Sequence, residues 1–274
     1  MIEFSGRFIG VELEIPKNNP LLESHMKALD WKTPFEAAIP REGKEYVSPK
    51  LKGREIFDQI SLFYDLLKEC NLDIEHYTCS THVHIDATDI YPLAWQNPGR
   101  EANILQFGNQ ISKLCRLFVS LERNKTAYAL GGCGIRMNRP GPPVCRSAPC
   151  LHHPVVCLRN ETFEFRLFPP TNDPEYLLAR VAFAQATIDC LFRNLDSPPE
   201  IPASFEDSGL LKILDILNLS DNIKRLLVTM FRQYKSDNIQ LVPKIWDLEE
   251  KGQIPMTIMN PDRWEYIDWS CITQ

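Results

Sequence analysis

Three separated segments of this chain place metal-binding or anion-binding side chains on alternate residues. Gly-Val-Glu-Leu-Glu-Ile spans 10–15, Thr-His-Val-His-Ile-Asp spans 81–86 and Thr-Phe-Glu-Phe-Arg-Leu-Phe spans 162–168. A β-strand repeats every two residues, so alternate positions share a face. Glu12 and Glu14 then share one face, with Val11, Leu13 and Ile15 on the other. His82, His84 and Asp86 oppose Val83 and Ile85, and Glu164 and Arg166 oppose Phe163, Phe165 and Leu167. Brought into one sheet, these polar faces would gather acids, imidazoles and a guanidinium. Such a set can hold divalent metal and phosphate.

Each segment alone also has an ordinary reading. Two glutamates on one strand face repel each other unless water or a cation neutralises them, and a solvated sheet edge supplies the water. Two histidines at i and i+2 project side by side, as metal ligands or as a merely hydrogen-bonded pair. Glu164 and Arg166 can form a same-face salt bridge of little weight. They can equally pair a metal-binding carboxylate with a planar, permanently charged donor for a phosphoryl group. Glu45 opens a short extended piece, Glu-Tyr-Val-Ser-Pro over 45–49, and says little by itself.

The order of the four motifs is more specific than any one of them. Gly-x-Glu-x-Glu, Glu-x-Val-Ser-Pro, His-Val-His and Glu-Phe-Arg, in this order over residues 7–190, resemble the amidoligase family of the glutamine synthetase-like carboxylate–amine ligase superfamily. The resemblance implies a largely antiparallel sheet with one polar catalytic face and helices on the other. It implies metal binding by Glu12, Glu14, Glu45, His82 and Glu164, and nucleotide contact by His84. Arg166 would meet the transferred phosphoryl group, forming with Glu164 the catalytic pair, and Arg159 is a further candidate for phosphate or substrate contact. It also implies ATP and Mg2+ or Mn2+ as cofactors, and a carboxylate and an amine as substrates, whether small molecule, peptide or protein side chain. The chain departs from the family in three places. Ser80-Thr81 stands where a glycine is common before His-Val-His. Glu36-Ala37-Ala38 replaces an acid-Gly-Ser element. The segment 131–158 has no counterpart. Two other readings of the same residues stay open: a metal-dependent hydrolase with water on His82, His84 and an acid, and an inactive binding module on the same scaffold.

The elements that must position these residues follow from periodicity. Residues 7–15, 45–48, 79–86 and 161–168 read as strands. Apolar residues at Ile56, Ile60, Phe63 and Leu67 predict a helix over 54–70, and Ile104, Phe107, Ile111, Leu114 and Phe118 predict another over 101–122. Asp173 followed by Pro174 predicts an N-cap and first helical residue, with the helix running to Asn194. Residues 16–44 read as mixed, with Pro16, Pro20, Pro34 and Pro40 marking turns. Strand–helix alternation to residue 194 predicts an α+β catalytic domain over 1–196. Pro198, Pro199 and Pro202 mark the boundary to a C-terminal helical extension over 197–274. Its helices are expected at 209–219, 220–235 and 242–252. The aromatic tail, with Trp264, Tyr266 and Trp269, is expected to pack on the body.

Bulk properties narrow the partners. The chain has 274 residues, 44% hydrophobic, with a net charge of −6. It has no long basic run, which disfavours nucleic acid, and no apolar run long enough to predict a membrane span. The N-terminus lacks a basic region followed by an apolar one, so no signal peptide is expected. Nine cysteines without an export signal predict reduced thiols and a cytoplasmic setting. Cys133, Cys145, Cys150, His152, His153 and Cys157 lie close in sequence. Their spacing forms no paired Cys-x-x-Cys, so free thiols in a substrate loop are the stronger expectation and a structural Zn2+ the weaker one. Lys224, Arg225, Arg232 and Lys235 give one helix a basic edge, most simply a surface face.

Overall fold

Alternation of apolar and polar residues creates the sheet, and burial of its apolar set holds it. Val11, Leu13 and Ile15, Val83 and Ile85, and Phe163 and Phe165 all lie in the core. Each contributes about 1.5–3 kcal/mol relative to exposure. The computed structural model describes residues 4–34, 42–76, 79–124, 133–136, 156–159, 161–251, 257–259 and 265–267. Its main sheet comprises β1 (Ile9–Ile15), β2 (Lys44–Val47), β3 (Thr81–Asp86), β4 (Cys133–Arg136), β5 (Val156–Arg159) and β6 (Thr162–Phe165). The spatial order is β2-β1-β3-β6-β5-β4. All neighbours are antiparallel except β4 and β5. The architecture is α+β, as the strand and helix patterns predict.

The helices bring apolar stripes to the core. The elements are α1 (Pro20–Ala28), α2 (Arg54–Glu69), α3 (Ile90–Gln96), α4 (Pro98–Cys115), α5 (Leu121–Asn124), α6 (Pro174–Arg193), α7 (Asp207–Ile216) and α8 (Asp221–Glu250). In α2, Ile56, Ile60, Phe63 and Leu67 are buried, as their spacing requires. Gly53 turns the chain into α2 at φ 57°, ψ −125°, a conformation that side chains resist. Asp173 caps α6 through Oδ1, which accepts from the Glu175 amide at 2.8 Å, with Pro174 in the first turn.

Four elements differ from expectation. Helix α1 lies inside the segment read as mixed, where only turns are expected. Asn19 caps it, its side chain accepting from the Leu21 and Leu22 amides, and Pro20 opens it. This is the same Asn/Asp-Pro device found at Asp173, and it was legible. The expected helix 101–122 is instead α4, a single 3-10 turn (Arg116–Phe118) and α5. The expected helices 220–235 and 242–252 are one helix, α8, which continues through Pro243. A proline removes one helical hydrogen bond; burial of Val242 just before it and Ile245 just after it keeps the register. The segment 131–158, expected as a substrate loop, supplies backbone for β4 and β5 at the sheet edge. Its cysteine and histidine side chains, and with them the zinc expectation, lie outside the described residues, as do Glu36 and most of the aromatic tail.

The basic edge of α8 is spoken for. Lys224 pairs with Asp215 at 2.5 Å, while Arg232 and Lys235 both meet Asp207 of α7. Its apolar face, with Ile223, Leu227, Met230 and Phe231, is buried. Among the described residues Cys70, Cys79, Cys115 and Cys190 are free thiols, and no helix is long and apolar enough to cross a membrane.

Candidate metal centre

Register aligns the polar positions across four strands. Glu45 of β2 stands opposite Glu14 of β1. Glu12 stands opposite His82 of β3. Gly10 stands opposite His84, which in turn faces Glu164 of β6. Residues directly opposite on one face are close enough for side chains to interact. The three segments separated in sequence therefore converge on one face because β1, β3 and β6 are spatial neighbours.

The side chains meet. His82 Nδ1 lies 2.8 Å from Glu12 Oε2, and His84 Nε2 lies 3.0 Å from Glu12 Oε1. Two imidazoles thus address the two oxygens of one carboxylate. His82 Nδ1 is also 3.7 Å from Glu164 Oε1, and its Nε2 is 3.9 Å from Glu14 Oε1. Arg166 Nη1 donates to Glu164 Oε1. Among the described residues two overlapping groups offer ligand atoms within 4.8 Å of one another: Glu12, His82 and Glu164, and Glu14, Glu45 and His82. His82 belongs to both, with its two ring nitrogens directed to different acids.

Burial sharpens the electrostatics. Exposure is 0% for Glu164, 5% for His82, 6% for Glu14 and 7% for Glu45, so water solvates these groups poorly. Four carboxylates gather here, and Arg166 pairs with Glu164. Burial alone pushes the Glu12 carboxyl up; hydrogen bonds from His82 and His84, and their charge, outweigh it and hold the group well below the usual carboxylate range. Oxygen-rich ligands with a single nitrogen type suit a hard or borderline divalent cation such as Mg2+ or Mn2+. The donor set therefore fits the metal that the motifs imply.

Every proposed metal ligand of the sequence reading, Glu12, Glu14, Glu45, His82 and Glu164, lies in these two groups. His84 and Arg166 border them. Arg159 lies in β5 opposite Thr162, on the row that also holds Asp86, two positions along the strand from the row of Glu164. Asp86 accepts from the Thr88 amide and hydroxyl, serving the turn after β3 rather than the cluster.

Three residues of the site were missed. The Ser80 amide donates to Glu14 Oε2 at 2.6 Å, orienting that carboxylate. Arg123 donates to the Ser80 hydroxyl at 2.6 Å. The Ser48 hydroxyl accepts from the Val11 amide at 2.9 Å and donates to the Pro49 carbonyl, fixing β2 against β1. Ser48 and Ser80 stand within or beside the motifs, so their positions were available signals. Arg123 had none.

No protein-family model matches the chain, and no curated protein matches it. Among solved structures the chain is similar to a bifunctional glutathione synthetase from Pasteurella multocida. Identity is 12% and the TM-score 0.41, over 90% of this chain and 49% of that one. The chain thus spans about half the length of that protein, and a likeness of this extent fixes neither family nor activity.

Proposed function

We propose that this chain is an ATP-dependent carboxylate–amine ligase of the glutamine synthetase-like, amidoligase type. The observation that carries the reading is the convergence of Glu12, Glu14, Glu45, His82 and Glu164 from four strands into two ligand groups sharing His82. A solvated sheet edge would not bury like charges together. On this reading residues 1–196 form the catalytic unit and 197–274 an extension against it. The five ligands would hold Mg2+ or Mn2+, which when bound screens nucleotide phosphates and draws charge from the transferred phosphoryl group.

The substrate carboxylate attacks the γ-phosphorus of ATP, releasing ADP and leaving an acyl phosphate. The amine then attacks the acyl carbon and gives up a proton, the acyl carbon–oxygen bond to phosphate breaks, and an amide or isopeptide bond forms as phosphate departs. Arg166 stabilises the negative charge that grows during the first transfer, its planar donors being fixed beside Glu164. His84 and Arg159 contact the nucleotide or substrate. Burial of the acids keeps bulk water from the acyl phosphate, which water would otherwise hydrolyse.

The test is a nucleotide-dependent one. Wild type should show a thermal shift that needs ATP and metal together, and release ADP when its carboxylate and amine are supplied. Glu164→Ala and His82→Ala, each folded by circular dichroism, should abolish both. A metal-dependent hydrolase would respond to metal without nucleotide, and a binding module would release no ADP.

A further inference from the structure

Arg123 is 0% exposed, and its guanidinium is held by acceptors at the ends of two strands. Its Nε donates to the Leu167 carbonyl at 2.9 Å. Its Nη2 donates to the Ser80 hydroxyl at 2.6 Å and the Arg166 carbonyl at 3.2 Å. These acceptors belong to two strand ends: Ser80 immediately precedes β3, and Arg166 and Leu167 follow β6. The Ser80 amide in turn orients the Glu14 carboxylate. One planar fork therefore joins the backbone that carries Arg166 to the residue that aims Glu14. The segment bearing it is itself pinned. Asn124 Nδ2 donates to the Arg116 carbonyl and to Asn238 Oδ1 of α8, and Asn238 Nδ2 donates to the Val119 carbonyl at 2.7 Å.

We propose that Arg123 is a positioning residue for the cation site, setting Glu14 through Ser80 and holding β3 and β6 in the spacing that lets His82 and Glu164 address one ion. This rests on the reading that the acid cluster binds a divalent cation. Guanidinium geometry matters because its donors point in fixed directions in one plane, whereas a lysine presents all its donors from one nitrogen.

The experiment is a Mn2+ titration of the full chain, followed by the electron paramagnetic resonance signal of free Mn2+. It is run far below the melting temperature of each metal-free variant, so that a change in stability alone does not change binding. Arg123→Met should weaken Mn2+ binding by about tenfold or more, the usual scale for groups that orient metal ligands. Arg123→Lys should recover part of it. Ser80→Ala, a smaller change that keeps the amide on Glu14, should weaken binding several-fold and carries the test if Arg123→Met does not fold. Arg180→Met is the control. Arg180 is 1% exposed and donates to the Pro169 carbonyl outside the cluster, so its loss should lower the melting temperature and leave Mn2+ affinity at the wild-type value. Wild-type affinity in folded Arg123→Met, or in Ser80→Ala where the first variant is unfolded, overturns the positioning role alone. Absence of Mn2+ binding by wild type overturns the cation reading and this proposal with it.

Discussion

Glu14→Gln should make the metal-free protein more stable while removing part of its response to metal. Glu14 and Glu45 stand directly opposite on one face, and both are buried. Their ligand atoms, with those of His82, lie within 4.8 Å of one another. Two negative charges at that separation repel by about 3.5 kcal/mol at an effective dielectric of about 20. Glutamine keeps an oxygen to accept from the Ser80 amide, which now meets glutamate Oε2 at 2.6 Å. Losing the charge from that hydrogen bond forfeits about 1 kcal/mol. Attraction between Glu14 and His82 Nε2, 3.9 Å away, is lost as well where the imidazole is protonated. The net gain expected is about 1–2 kcal/mol, which for a chain of this size raises the melting temperature by about 2–8 °C. Differential scanning calorimetry or urea denaturation in chelator reads this change, and repetition with saturating Mn2+ reads the other half. The metal-induced shift of the variant should be smaller than that of wild type. A variant that is less stable without metal, yet gains as much from Mn2+ as wild type, would show that the acids are not a charge cluster awaiting a cation.

Arg166→Gln should lower ADP release by about 100-fold or more while leaving Mn2+ affinity within a few-fold, because the guanidinium acts on developing charge rather than as a ligand; a parallel loss of metal binding would assign it a structural part. Phe63→Ala should destabilise the fold by about 3–5 kcal/mol in urea denaturation. Phe63 is fully buried, stacks on Trp31 at 5.3 Å, and meets Tyr46 and Tyr64 edge-on; a cost under 1 kcal/mol would contradict that packing. Hydrogen bonds from Lys27 and then Asn18 lower the Glu23 carboxyl to about 2. A depressed carboxylate adds stability above the unfolded value and loses it as pH falls through the folded one. Wild type should therefore exceed Glu23→Gln in urea midpoint above about pH 4.5, and the two should converge as pH falls toward about 2; a constant gap would remove the charge from the explanation.

What the sequence determined by itself was the local alternation and its chemistry. Glu12 and Glu14 share a face because a strand repeats every two residues, whatever lies beside it. The burial of Val11, Leu13 and Ile15 follows from the same rule. The order of motifs suggested which acids and imidazoles belong together, and the cap at Asp173 was readable because an N-cap is a local device. Helix α1 was equally readable, since Asn19-Pro20 repeats that device. The union of α8 across Pro243 was not, because burial of Val242 and Ile245 against the body outweighs a local breaker. The tertiary structure alone decided that β1 lies between β2 and β3, and β6 beyond β3. That order makes Glu12 face His82, and His84 face Glu164. It also decided that His82 is common to two groups and that Arg123, from an unremarkable stretch, reaches Ser80. Strand order and long-range hydrogen bonds depend on which surfaces bury each other, and a one-dimensional period contains no record of that choice.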